Sequence, residues 1–149
     1  MEEIKTILLN REPPILAPGD KVFDESLVDR IESLPQSKNV RAGLHLLNDD
    51  IHHAHLLAQS IEGDPIADYW HAILHRREKD YSNSKYWFSH VNSDVLKKVY
   101  GQSSISLAKQ KSFAFVDQCE KVKSGRDSEL EHRQFEEMKS VLEAAIKRE

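Results

Sequence analysis

From Leu27 onward, apolar residues recur at three- and four-residue intervals, the spacing of helices that each bury one face. Leu27, Val28 and Ile31 mark a short helix that Asp24 can cap and Leu34-Pro35 stops. Val40, Leu44, Leu47, Ile51 and Ala58 fall on one stripe of a longer helix, capped by Asn39, running to about Ile61 and closed at Gly63. Asp64-Pro65 is a strong start signal for the next, which should turn Ile66, Tyr69, Trp70 and Ile73 inward and fade near Asp80. Ser82 or Asn83 can cap a helix through Tyr86, Trp87 and Phe88, and another over Asp94–Tyr100 ends at Gly101. A longer one spans roughly Ile105–Lys123, carries Phe115, Cys119 and Val122 at helical spacing, and closes at Gly125. The last opens with the box Ser128-x-x-Glu131 and buries Leu130, Phe135, Met138, Val141, Leu142 and Ala145. Upstream, Pro13, Pro14, Pro18 and Gly19 make residues 1–23 an irregular arm. Alternating strand patterns and internal repeats are missing. The pattern predicts an all-α fold: one domain over residues 1–149, with six or seven helices, three of them long.

Composition narrows the function classes. A chain of 149 residues, 39% apolar and 31% charged, can build one core without metal or disulfide staples. The net charge of −4 argues against a duplex nucleic-acid binder, which normally carries a basic face, and leaves small anions open. Cys119 is the only cysteine and lies in an apolar-periodic stretch, so it reads as a buried structural thiol. The acidic start and the short run Ile7-Leu8-Leu9 suit neither a signal peptide nor a membrane span, and a cytoplasmic or nuclear location is expected.

The chemistry gathers in one region. Seven of the eight histidines fall between His45 and His90. His55 lies inside the core stripe of the 40–61 helix, with Asn48, His52 and Gln59 flanking that stripe and His45 two turns before His52. On the following helix His71 and His75 are one turn apart, with Glu78 on the same side. Such a pair can ligate a metal, although Ala72 stands where a metalloprotease helix places glutamate.

Arg77 projects close to the core stripe, where a guanidinium needs a carboxylate, backbone carbonyls or a bound anion. Arg76, Arg77, Lys79 and Lys85 against Glu78 and Asp80 leave residues 71–90 at +2, opposite in sign to the whole chain, which favours an anionic ligand. The residues therefore suggest a pocket between the 40–61 helix, the 64–80 helix and the start of the 82–90 helix. In it His55, His71 and His75 exchange protons and Glu78 or Asp80 orients one imidazole. Arg76, Arg77 and Lys85 hold a phosphate or carboxylate, and Trp87 stacks on a ring. A transfer or hydrolysis reaction on a small anionic metabolite fits; no nucleophile motif favours covalent catalysis, and the sequence leaves the cofactor unknown. Two alternatives stay open: a metal site through His71 and His75, and a non-enzymatic interaction module.

The run Tyr69-Trp70-His71, His75-Arg76-Arg77-Glu78, Asp80-Tyr81, Asn83, Lys85-Tyr86-Trp87, preceded by Ala54-His55 and Gln59, resembles the shared pattern of a family of uncharacterised small helical proteins from fungi and bacteria. The resemblance covers about a third of the chain. It implies a common site that includes His55, Gln59 and Asn83, and it implies no particular activity.

Overall fold

A computed structural model describes residues 1–123 and 125–149, and among them it contains nine helices and no strand. In chain order these are α1 (Glu2–Leu9), α2 (Ser26–Glu32), α3 (Lys38–Leu47), α4 (Ile51–Ser60), α5 (Pro65–Arg77), α6 (Tyr81–Phe88), α7 (Asp94–Tyr100), α8 (Ile105–Glu120) and α9 (Ser128–Lys147). None is long and apolar enough to cross a membrane.

The all-α class is as expected, and the count rises above six or seven for two local reasons. The arm begins with a helix: Glu2 and Glu3 favour its first turn while Ile4 and Leu8 are buried, and the prolines start only at Pro13. The irregular stretch is thus residues 10–23. The expected 40–61 helix is two helices, because Asp49 adopts φ +60° and Asp50 restarts the chain by accepting a hydrogen bond from the His53 amide at 3.1 Å. Further boundaries move. Helix α6 starts at Tyr81 after Asp80, not at a cap on Ser82 or Asn83. Ser37, not Asn39, caps α3 through the Val40 amide. Asp127, not Ser128, caps α9 through the Leu130 amide, so Glu131 is free to pair with Arg126 at 2.6 Å. The helix before it ends at Glu120, well short of Gly125.

The core is centred on α5, in which every residue from Ile66 to Arg77 is buried. It packs against α3, α4, α6 and α9, and a continuous apolar cluster runs from Ile4 on α1 to Ala145 on α9. Gly43 sets how closely α3 meets α5. A Cβ there would lie 2.4 Å from Cζ2 of Trp70, so only glycine admits the indole, whose Nε1 donates to the Asn39 carbonyl at 3.0 Å. Asp64 caps α5 as expected, accepting from the Ile66 and Ala67 amides, and Pro65 follows at the first helical position. Cys119 is buried and free, and burial raises its thiol pKa, as befits a structural residue.

Candidate metal centre

Helix α4 carries His55, and α5 carries His71 and His75 one turn apart on the side that faces α4. The three imidazoles converge. Each offers a ring nitrogen, and these atoms all lie within 4.8 Å of one another. The rings of His71 and His75 stack with centroids 4.9 Å apart, and His55 meets both edge-on at 4.9 and 5.4 Å. Trp87, delivered by α6, lies flat on His71 at 3.9 Å with 11° between the planes. Ser84 holds α6 in place by donating to the Ala72 carbonyl at 2.7 Å.

The carboxylates follow from how α5 ends. Lys79 takes φ +64°, which turns the chain and sets Glu78 and Asp80 beside His75. Oε1 of Glu78 is 3.1 Å from Nδ1 of His75, and Oδ2 of Asp80 is 3.8 Å from the same atom, neither in the alignment of a hydrogen bond. On the other side of the ring, Nδ2 of Asn83 stands 3.3 Å from Nε2 of His75 and donates to Asp80 at 3.3 Å. This surrounding favours the proton on Nδ1, toward the carboxylates, and makes Nε2 the acceptor, here facing the Asn83 amide.

Burial, helped by the charges His75 and His55 would carry, pushes the pKa of His71 down to about 4. Burial also lowers that of His75, against the pull of Glu78. At neutral pH both rings are therefore neutral, with lone pairs to offer. Among the described residues, Nδ1 of His71 and Nδ1 of His75 are buried without a hydrogen-bond partner, a condition that buried polar atoms rarely tolerate without a compensating contact.

The cationic residues expected in this site are elsewhere. Arg76 turns away into the interface with α9, where Nη2 donates to Oε1 of Glu137 at 2.6 Å and Nε donates to Gln134 at 3.2 Å. Glu137 Oε2 also accepts from the hydroxyls of Tyr69 and Tyr100, at 2.8 and 2.7 Å. Burial opposes the charge of Arg76, but Glu137 outweighs it and raises the guanidinium pKa. Arg77 donates to Asp49 at 2.6 Å, to the Leu46 carbonyl at 2.8 Å, and to the Ile15 and Leu16 carbonyls at 3.1 and 3.3 Å. Lys85 pairs with Asp117 on α8. Each of the three cations thus has a carboxylate of its own, and none points at the imidazoles. Gln59 is exposed on α4 outside the cluster.

His55 and Glu78 border an open cleft of about 770 Å³, whose far wall is the arm between Ala17 and Val22. Asp20, Glu25, Asp49, Asp50 and Glu78 line this cleft against Lys79 and the paired Arg77, so its field favours cations over free anions. Sequence reasoning passed over the second group beside it, in which His53 and Asp50 meet His45 and Glu32. The poor helix formers Asn48-Asp49-Asp50 were the available signal, since they mark the break that assembles it. No protein-family model, curated protein or solved structure matches the chain.

Proposed function

We propose that this protein binds a divalent transition-metal ion, zinc in the first instance, through His55, His71 and His75, and presents it to small molecules entering the acidic cleft. The observation that carries the reading is the convergence of three ring nitrogens within 4.8 Å, in a place where two of the rings are buried and Nδ1 of His71 has no hydrogen-bond partner among the described residues. Donors on tetrahedral zinc, at bond lengths near 2.1 Å, stand roughly 3.4 Å apart, so side-chain rotations of about an ångström close the site. The lowered pKa of His71 supports a metal over an anion, because a neutral imidazole is a ligand and a poor counter-ion.

A zinc ion with three imidazole ligands supplies Lewis acidity and lowers the pKa of a coordinated water toward neutrality. The chain's own groups then have defined parts. Glu78 orients His75 from behind and, at the border of the cleft, can accept a proton from an incoming water. Trp87 fixes the plane of His71 and keeps water from its face. Hydrolysis of a small polar substrate is the reaction class this set supports.

The test is metal content. Untagged protein, dialysed against a zinc buffer and then against buffer alone, should retain zinc at this centre, and the double variant His71→Gln/His75→Gln should hold one equivalent less than wild type. Identical zinc content in the two proteins would overturn the reading.

A further inference from the structure

His45 and His53 lie side by side only because the chain breaks at Asp49. In one continuous helix, residues eight apart stand about 12 Å apart along the axis, at roughly 1.5 Å per residue. The break folds α4 back and brings the two rings nearly parallel, with centroids 5.0 Å apart and 23° between planes. The pair then presents matching edges to two carboxylates. Oδ2 of Asp50 is 2.7 Å from Nδ1 of His53 and 3.5 Å from Nδ1 of His45. On the opposite edges, Glu32 of α2 stands 3.3 Å from Nε2 of His45 and 4.0 Å from Nε2 of His53.

We propose that His45, His53 and Asp50 form a second metal centre, for a divalent first-row transition ion, with Glu32 as the carboxylate behind both imidazoles. Three observations carry it. The donor atoms of the trio lie within 4.8 Å of one another, and the distances of 2.7 and 3.5 Å bracket the spacing of about 3.4 Å between neighbouring ligands on such an ion. His45 is 0% exposed, yet among the described residues neither of its ring nitrogens has a hydrogen bond, so a fully buried polar side chain is aimed into the cluster without a partner there. Glu32 sits where the outer carboxylate of a metal-bound histidine belongs: it can face a proton on each Nε2, and a metal would then replace the proton that Nδ1 of His53 donates to Asp50 at 2.7 Å. Two histidines and one carboxylate are the donor set of open, first-row metal sites. The open side is present as well, since Asp50 and His53 line the same cleft as His55 and Glu78.

The centre shares no ligand with the trio His55, His71 and His75, and the two can be counted separately. Zinc alone is the probe, measured by equilibrium dialysis and elemental analysis of wild type and variants that share the wild-type circular dichroism. Asp50→Asn removes the ligating charge and keeps an N-cap residue for α4. His53→Gln makes the same test at a partly exposed ring that the fold can spare. Wild type should hold two equivalents. Asp50→Asn and His53→Gln should each hold one, and so should His71→Gln/His75→Gln. Asp50→Asn placed in that double variant should hold none. Glu32→Gln should weaken one of the two sites about 10- to 100-fold without removing it. The second centre is overturned if His71→Gln/His75→Gln holds no zinc, or if neither Asp50→Asn nor His53→Gln lowers the count. Failure of the first centre is a different result: zinc that vanishes in Asp50→Asn and is untouched in the double variant.

Discussion

Nη2 of Arg77 donates to Oδ1 of Asp49 across 2.6 Å and so joins the end of α5 to the residue that separates α3 from α4. Both side chains are almost entirely enclosed, and Asp49 spends its other oxygen on Arg11 at 2.9 Å. The same guanidinium holds the arm by the carbonyls of Ile15 and Leu16. One side chain thereby fixes three segments around the cleft.

Arg77→Ala should therefore cost about 3–5 kcal/mol, because it strands a buried carboxylate and several carbonyls together. Arg77→Lys should recover only part of this, since an ammonium can face Asp49 but cannot span the fork of acceptors. Urea denaturation of the three proteins checks the order. An alanine variant as stable as wild type would return Arg77 to the ligand-holding role suggested by its sequence neighbourhood.

Glu137 is the counterpart at the other face of α5. Glu137→Gln keeps an acceptor for Tyr69 and Tyr100 but leaves the charge of Arg76 buried and unmatched, at a cost of roughly 3 kcal/mol or more. Zinc content should not change, because this network lies away from the imidazoles. A variant that loses zinc yet melts like wild type would contradict that separation.

Trp87 gives the histidine trio an optical readout. The chain has two tryptophans, and Trp70 is packed against Gly43 on the other side of the core. Copper(II) or cobalt(II) at the trio should quench the indole stacked on His71, and Trp87→Phe should remove most of that quenching while leaving zinc content intact. Quenching that persists in Trp87→Phe would place the bound ion nearer Trp70.

The acid stability of chelator-treated protein follows from His71. Its pKa is about 4 when folded, against an ordinary value of 6.5. Between those values the unfolded chain takes up a proton that the native state refuses. Stability is then complete above 6.5 and falls as the pH drops toward 4. His75, shifted in the same direction, adds to the fall. Melting temperatures across this window should decline, and His71→Gln should flatten the decline. A wild-type curve as flat as that of the variant would show that His71 titrates like a solvated ring.

Gly43→Ala tests the helix contact that underlies the site. The added methyl meets the indole of Trp70 well inside van der Waals distance and should destabilise the protein by about 1–3 kcal/mol through overpacking. A neutral effect on the midpoint of unfolding would mean that α3 and α5 can separate without penalty.

Much of this arrangement is legible in the residue pattern. Asp94–Tyr100 and its stop at Gly101 appear where expected, because Ser93 and a glycine at φ +62° mark both ends. His55, His71 and His75 could be singled out because an imidazole inside a core stripe and a pair one turn apart on the next helix call for partners. The break at Asp49 is signalled only by the poor helix formers Asn48-Asp49-Asp50, because Leu44, Leu47 and Ile51 keep helical spacing across it, and the pairing of Asp49 with Arg77 and Arg11 holds the left-handed turn. The same pairings explain the arginines: proximity along the chain put Arg76 and Arg77 beside the histidines, whereas their faces of α5 point to Glu137 and Asp49, residues 61 and 28 positions away. Helix α1 is short, and the prolines from Pro13 onward give the whole arm an irregular pattern that masks it.

The Leu16 carbonyl accepts from Arg77 and also, at 3.3 Å, from Gln134, a partner 118 residues further along the chain. Closing a loop of that length costs entropy before any contact rewards it, and contacts of such long range are formed slowly. Helices α3 to α6 can assemble from neighbours in sequence, whereas this tie between the arm and α9 brings together segments near the two ends of the chain. Because the arm supplies one wall of the cleft, the cleft is complete only when contacts from α5, from the α3–α4 junction and from α9 are all in place.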